Sequence, residues 1–437
     1  MRPLISTFRK HGSVVILAAL MVGGGPTAAP AQNTAPAPLD NDRLLAAYKQ
    51  SIDDVRHGRY MQATFGLLAR LDLPDADRIP DADVFDQWSQ AMSCMTGRPR
   101  FNPAKTAADY HLAPGDIPAL EAATGVPAIP AIVERARHTR IVILDENHLD
   151  PRGRAFALEV ARALRPLGYT LLAAETLTRD ADDAVSQAKM DQLSRDGYLR
   201  RTSGYYTSDP VFADFLRQSL ALGYHLVSYE SARPSWDNEE QRDEDQAENL
   251  ARRALQAHPG AKLLIYAGEH HAAERPIAAE GNGVVWMAAK LKHLTGIDPL
   301  TIDQAGLTPF PMNRPDADLY TLAAPKAQAG SVVLMRQGRP LTVGLLAGAV
   351  DLQVVHPPVA DRQGRPDWLA GMGRAPVPVP AFLLPASGTR LVQAFLANEA
   401  EDAVPVDQVL VTAGQAAPTL MLPARTVRYA VQDWPSP

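Results

Sequence analysis

Short, mostly apolar runs alternate with amphipathic stretches through the middle of the chain, and four of the runs end in a carboxylate or a histidine. They are Ile141–Leu144 before Asp145-Glu-Asn-His148, Leu171–Ala174 before Glu175, His225–Tyr229 before Glu230, and Leu263–Ala267 before Gly268-Glu-His-His271. Runs of this length suit buried strands, and the amphipathic stretches between them suit crossover helices. The pattern predicts βαβ units and an α/β fold with a mainly parallel sheet and flanking helices. Parallel strands end at one edge of their sheet, where open α/β folds bind ligands. Glu146, His148, Glu175, Glu230, Glu269, His270 and His271 are therefore expected on one rim.

On either side the pattern changes. Apolar positions at helical spacing predict an N-terminal helical region, with Leu44, Leu45, Tyr48, Ile52 and Val55 near one face and a second helical stretch over 82–95. Further helices are predicted over 153–164, 211–222, 237–258 and 284–294. Pro210 suits the first helical position with Ser208 or Asp209 as cap, and Asp237 with Glu240 forms a capping-box pattern. Leu300-Thr-Ile302 reads as a short strand. Beyond Pro309 helical spacing fades, proline becomes frequent, and β-like runs appear at 331–335, 341–346, 351–355, 408–412, 419–422 and 428–431. The chain thus divides into a helical region over 40–130, an α/β domain over 131–308 and a β-rich C-terminal domain over 309–437.

The 437 residues are 46% hydrophobic and 21% charged, an ordinary globular balance. A formal charge of −6 and the lack of a long basic run give no support for a nucleic-acid partner. Arg2, Arg9 and Lys10 precede the apolar stretch Ser13–Gly25, and Ala29-Pro30-Ala31 fits a small-x-small cleavage site. Residues 1–31 therefore read as a secretory signal, with a mature start near Gln32, a flexible leader over 32–39 and a periplasmic or secreted bacterial location. The apolar stretch is short for a bilayer span, so no stable membrane anchor is expected. Cys94 is the only cysteine. That excludes an internal disulfide, a cysteine-rich zinc site and CxxCH haem attachment, and a buried apolar role is expected for it.

Glu146 and His148 place a carboxylate and an imidazole two residues apart in a turn. An imidazole can take a proton from water near neutral pH while a carboxylate orients the ring. The same types are ordinary ligands of divalent metals, and His148, Glu175 and His271 are the candidate set. Glu175 leaves a very apolar strand and needs a partner there. Adjacent side chains cannot all face one ligand, so His271 is preferred over His270 for the chemistry. Arg242 and Asp243 lie in the opening turns of a helix starting at the rim, Arg242 as a candidate oxyanion donor. Tyr205 and Tyr206 lie in a loop that can cover the pocket and pack on substrate, with Glu230, Asp243 and His270 as further binding candidates.

Taken in order, these motifs resemble the erythromycin esterase/ChaN-like superfamily, related to the Tiki/TraB proteins. Glu146 and His148 match its Gly-Glu-x-His-type motif, Glu175 its glutamate after the second strand, and His271 its final histidine. Arg242-Asp243, Ala247-Glu-Asn249 and Pro259-Gly-Ala-Lys262 resemble the stretch before that histidine in the esterase branch. The likeness covers about residues 138–305. Asp145 stands where the family has glycine, and the one-residue gap between Glu146 and His148 resembles the ChaN branch, so macrolide hydrolysis does not carry over. Together with the N-terminal signal, the resemblance implies an exported hydrolase of a small-molecule or peptide ester, lactone or amide, with Glu146, His148, Glu175, His271 and Arg242 in catalysis. It also allows a divalent metal at the site, or a haem- or iron-binding protein without turnover.

Overall fold

A computed structural model describes residues 40–101, 113–233, 239–277, 283–309 and 319–434. The expected signal over 1–31, the leader over 32–39 and the Asp237 cap lie outside these residues. The central sheet contains β1 (Thr124–Pro127), β2 (Ile141–Glu146), β3 (Tyr169–Ala174), β4 (His225–Val227), β5 (Lys262–Gly268), β6 (Leu300–Asp303), β7 (Val332–Arg336), β8 (Arg339–Pro340) and β9 (Leu352–Val355). Its order is β1-β7-β9-β6-β2-β5-β3-β4, with β8 paired to β7. The run from β9 to β4 is parallel, and β1, β7 and β8 close the other side antiparallel. All four acid-ended runs are neighbouring parallel strands, as their composition predicts, and the fold is the expected α/β sheet with flanking helices.

Residues of β2 alternate between two cores. Val142 and Leu144 join one with Phe156, Leu158, Phe212 and Tyr266. Ile141 and Ile143 join the other with Leu250, Ala254, Met287 and Leu291. Each fully buried aliphatic side chain contributes about 1.5–3 kcal/mol, which explains why these strands are apolar on both faces. The first core is covered by α5 (Ala128–Ala136), α6 (Arg152–Leu164) and α8 (Pro210–Ala221). The second is covered by α9 (Glu239–Asn249), its π-helical continuation Leu250–Gln256, and α10 (Met287–Thr295). Between them in sequence, α7 (Asp183–Asp196) is capped by Asp182, while Asp209 caps α8 with Pro210 in its first turn.

The expected domain limits at 130/131 and 308/309 do not hold for this sheet. β1 precedes the first limit, and β7, β8 and β9 follow the second. A sheet ending at β6 would leave a row of unpaired peptide groups, and apolar β9 covers it. The expected strand over 341–346 is absent. Gly344 sits there at φ 71° within a short 3-10 turn, and Val343 N–H goes to the side chain of Gln353. Beyond residue 360 lies the β-rich part: a three-stranded antiparallel sheet of Thr389–Leu396 between Asp407–Thr412 and Val427–Trp434, with two small two-stranded pairs. The sequence pattern missed the central strand because Gln393 interrupts its apolar run, where it pairs with Gln408 at 2.7 Å.

The N-terminal helices α1 (Asn41–Arg56), α2 (Tyr60–Leu71) and α3 (Ala82–Thr96) share a core of Leu44, Leu67, Phe85 and Trp88. Leu44 and Val55 of the expected face are buried, and Leu45, Tyr48 and Ile52 are half-buried. Cys94 is buried as expected, in a second cluster with Tyr60, Met61 and Leu391 that joins these helices to the three-stranded sheet. The short helices α4 (Asp116–Glu121) and α11 (Leu319–Ala323) pack near β7. Among the described residues no helix is long and apolar enough to cross a membrane.

Candidate active site

The site begins where β2 ends. Asn147 turns the chain through its side chain, accepting from Leu149 N–H at 2.9 Å, and its carbonyl accepts from Asp150 N–H. That Asx turn folds His148 back over the strand end, so that Nδ1 lies 2.8 Å from Glu146 Oε1. An ionised carboxylate only accepts, so Nδ1 carries the hydrogen and the neutral ring keeps its lone pair on Nε2. Glu146 is buried and held ionised. Arg154 donates to it twice, at 2.7 and 3.0 Å, and Tyr266 O–H donates at 2.8 Å. Burial alone would raise the Glu146 pKa; the Arg154 charge and the hydrogen bond from His148 lower it below the ordinary glutamate value. Arg154 also donates to Asp209 and to the His148 carbonyl, fixing the whole turn.

A second cluster stands across the rim. Glu175 accepts from Gly268 N–H and from Arg242, both at 2.5 Å. Arg242 also donates twice to Glu230, at 3.1 and 2.5 Å, and its Nη1 lies 3.3 Å from His271 Nε2. His271 Nδ1 donates to Asp243 at 2.8 Å, and Asp243 also accepts from Met287 N–H. Burial opposes a charge on His271, but Asp243 and then Glu175 outweigh it and raise its pKa. Glu175 is pushed the other way: against burial, Arg242, His271 and His148 hold its carboxyl far below the usual range. Two carboxylate–imidazole pairs therefore flank one ionised glutamate, whose oxygens lie 3.8 Å from Nε2 of each ring.

Gly268 makes this approach possible. It sits opposite Glu146 in the β2–β5 register. A Cβ there would stand 2.5 Å from His148 Nε2 and 2.9 Å from Glu175 Oε2. Gly268→Ala should therefore fold but displace the imidazole. Misplacement of a catalytic group on this scale costs on the order of 10² in rate. Kinetics alongside a melting curve check this; wild-type turnover in a folded G268A protein would show that the ring position is unimportant.

The loop bearing Tyr205 and Tyr206 covers His148. Tyr206 stacks on the imidazole with ring centroids 3.9 Å apart and planes inclined by 16°. Tyr205 O–H donates to Gln87 of α3 at 2.6 Å, so the N-terminal helices brace the loop. The structure therefore brings Glu146, His148, Glu175, His271, Arg242 and Tyr206 together. Glu230 and Asp243, expected to bind substrate, are buried and serve Arg242 and His271 instead. Tyr205 is directed at α3. His270 takes φ 71° and packs its ring near Trp286, and burial lowers its pKa to about 4, so it is neutral at pH 7. Arg242 directs its N–H groups at Glu230, Glu175 and His271 and acts as a clamp, in place of the expected oxyanion donor. Glu269 is exposed.

The candidate metal set does not fit an ion. The Arg242 guanidinium occupies the space between Glu175 and His271, and both Glu175 oxygens and the His271 Nε2 already face donors. Among the described residues no three His, Cys, Asp or Glu side chains are grouped to hold a metal. Haem iron on His148 Nε2 would press against ionised Glu175, so that group does not fit either. Sequence reasoning missed Arg154, Tyr266 and Asp209 as members of the site. Two signals were present. Arg152 and Arg154 stand in the first turn of α6, where the helix dipole disfavours cations, and a tyrosine inside a buried strand needs a partner for its hydroxyl.

No family model matches the chain, and no curated protein matches it significantly. Solved structures similar to it include one of bacterial protein toxins, at 18% identity and a TM-score of 0.32, covering 56% of this chain and 55% of that one. Another is RRSP, a MARTX toxin effector domain from Vibrio vulnificus CMCP6, at 16% identity and 0.30, covering 56% and 54%. A third is the C-terminal region of Pasteurella multocida toxin, described with a thiol-protease-like catalytic triad, at 13% and 0.31, covering 58% and 37%. The chain spans about half the length of the first of these. Likeness of this degree leaves the site's own geometry as the basis for a functional reading.

Proposed function

We propose that the protein is an exported hydrolase of the erythromycin esterase/ChaN-like type that cleaves a small-molecule or peptide ester, lactone or amide. The observation that carries this reading is the Arg154–Glu146–His148 chain. A buried arginine keeps Glu146 ionised, Glu146 fixes the imidazole through Nδ1, and Nε2 is left to act on a ring whose side chain is 27% exposed. In the proposed reaction Nε2 takes a proton from water as the water oxygen bonds to the carbonyl carbon. Glu175, held ionised 3.8 Å away, stabilises the imidazolium that forms. The imidazolium then protonates the leaving group as its bond to the carbonyl carbon breaks. His271, Arg242, Glu230 and Asp243 keep Glu175 charged and in place. Export rests on the N-terminal sequence over 1–31.

Turnover of p-nitrophenyl acetate and of a panel of esters and lactones by the mature chain tests the reading. Dialysis against EDTA is expected to leave the rate unchanged, because Arg242 occupies the space an ion would need. A rate that falls on dialysis and returns with a divalent cation would overturn the metal-free mechanism. A preparation inert on every ester, lactone and amide tried would overturn the hydrolase reading itself.

A further inference from the structure

Water addition to a carbonyl leaves negative charge on its oxygen, and the groups described so far do not meet it. A donor for that charge must be unengaged, held in place beforehand and close to the base. Arg154 is directed at Glu146, Asp209 and the His148 carbonyl. Arg242 is directed at Glu230, Glu175 and His271. The Gly268 N–H is taken by Glu175. The half-buried Tyr206 differs. It lies against the His148 ring, and among the described residues its hydroxyl has no hydrogen-bond partner.

Its position is built. Tyr206 N–H donates to Thr176 Oγ1 at 2.8 Å, directly after Glu175. Leu177 and Gly204 pair as an isolated bridge, and a Cβ on Gly204 would lie 2.0 Å from the Thr176 carbonyl oxygen, so only glycine permits this approach. Two residues on, the Ser208 carbonyl accepts from Tyr60 O–H at 2.6 Å, and Tyr205 is tied to Gln87. Burial and Glu175 together raise the pKa of the Tyr206 phenol well above the ordinary value, so the group stays an O–H donor.

We propose that Tyr206 is a further catalytic residue, its phenol O–H donating to the substrate carbonyl oxygen as negative charge develops there. The inference rests on the hydrolase reading. No proton leaves the tyrosine. The water proton goes to His148 Nε2, the carbonyl electron pair moves onto oxygen under the phenol, and its return expels the leaving group, which takes the proton from His148.

The test compares the mature wild-type chain, Tyr206→Phe and His148→Ala with p-nitrophenyl acetate as probe. Phenylalanine keeps the stack and removes only the hydroxyl. The expected result is a fall in kcat and kcat/KM together, by about 10²–10³, with KM and the melting curve unchanged. If H148A is inactive while Y206F keeps full kcat, or changes only KM, the donor role is overturned and the hydrolase reading stands. If the wild type is inert, or H148A is fully active, the hydrolase reading fails and the inference with it.

Discussion

Replacement of His148 by alanine is expected to lower kcat by about 10²–10⁴ and to leave the melting curve nearly unchanged. The rate effect follows from the proton transfer, since among the described residues the other histidines near the strand ends are not placed to act as the base. His271 is closed off by Asp243 on one side and Arg242 on the other. His270 stands beside Trp286. Stability is spared because the ring lies at the edge of the fold. Glu146, its main partner, keeps the two bonds from Arg154 and the one from Tyr266 after the ring is removed. Steady-state kinetics with a melting curve provides the check. Full turnover in H148A would remove the general base from the mechanism, and an unfolded H148A would make the histidine structural.

Arg154→Met should have the largest effect on stability. The arginine is fully buried and joins three elements: the end of β2 through Glu146, its own helix α6, and the cap of α8 through Asp209. Methionine fills much of the volume but leaves two buried carboxylates without their cation. Breaking a buried ion pair from one side costs about 3–5 kcal/mol, readable as a lower urea midpoint with an unchanged slope. The pH dependence should move as well. Glu146 has a folded pKa below its unfolded one, so its contribution is complete above the ordinary glutamate value of about 4.3 and is lost as pH falls through the lowered folded value. Without Arg154 burial acts on Glu146 with its main opponent gone, so that acid-side loss shrinks. A variant as stable as the parent, with the same acid limb, would show that the arginine does not hold Glu146 ionised.

Much of the architecture was legible in local pattern. Apolar runs as short as Ile141–Leu144 and Leu263–Ala267 can be buried on both faces only in a covered sheet, and parallel strands must end at one edge. Their terminal acids and histidines therefore had to lie along one edge, whatever the strand order. Helix ends were equally local, as Asp209 and Pro210 show at α8. The order itself was not local. β5 lies between β2 and β3, which brings Gly268 against His148 and gives Glu175 its N–H donor. Residues 332–355, which read as part of a separate β domain, complete the sheet because the exposed edge of β6 had to be paired.

The roles of the charged residues divide along the same line. Composition and position at a strand end marked Glu146, His148, Glu175 and His271 as reactive, since a charge leaving an apolar strand needs a partner nearby. Which partner it takes depends on packing between segments far apart in the chain. Glu230 and Asp243 carry the same carboxyl group as Glu175, yet tertiary packing buries them behind Arg242 and His271 as supports. Arg154, in an unremarked helix turn, becomes the cation on which Glu146 depends. Periodicity reports the face a side chain occupies and the end of the strand that carries it. Only the folded chain sets the distances that separate a base from a brace.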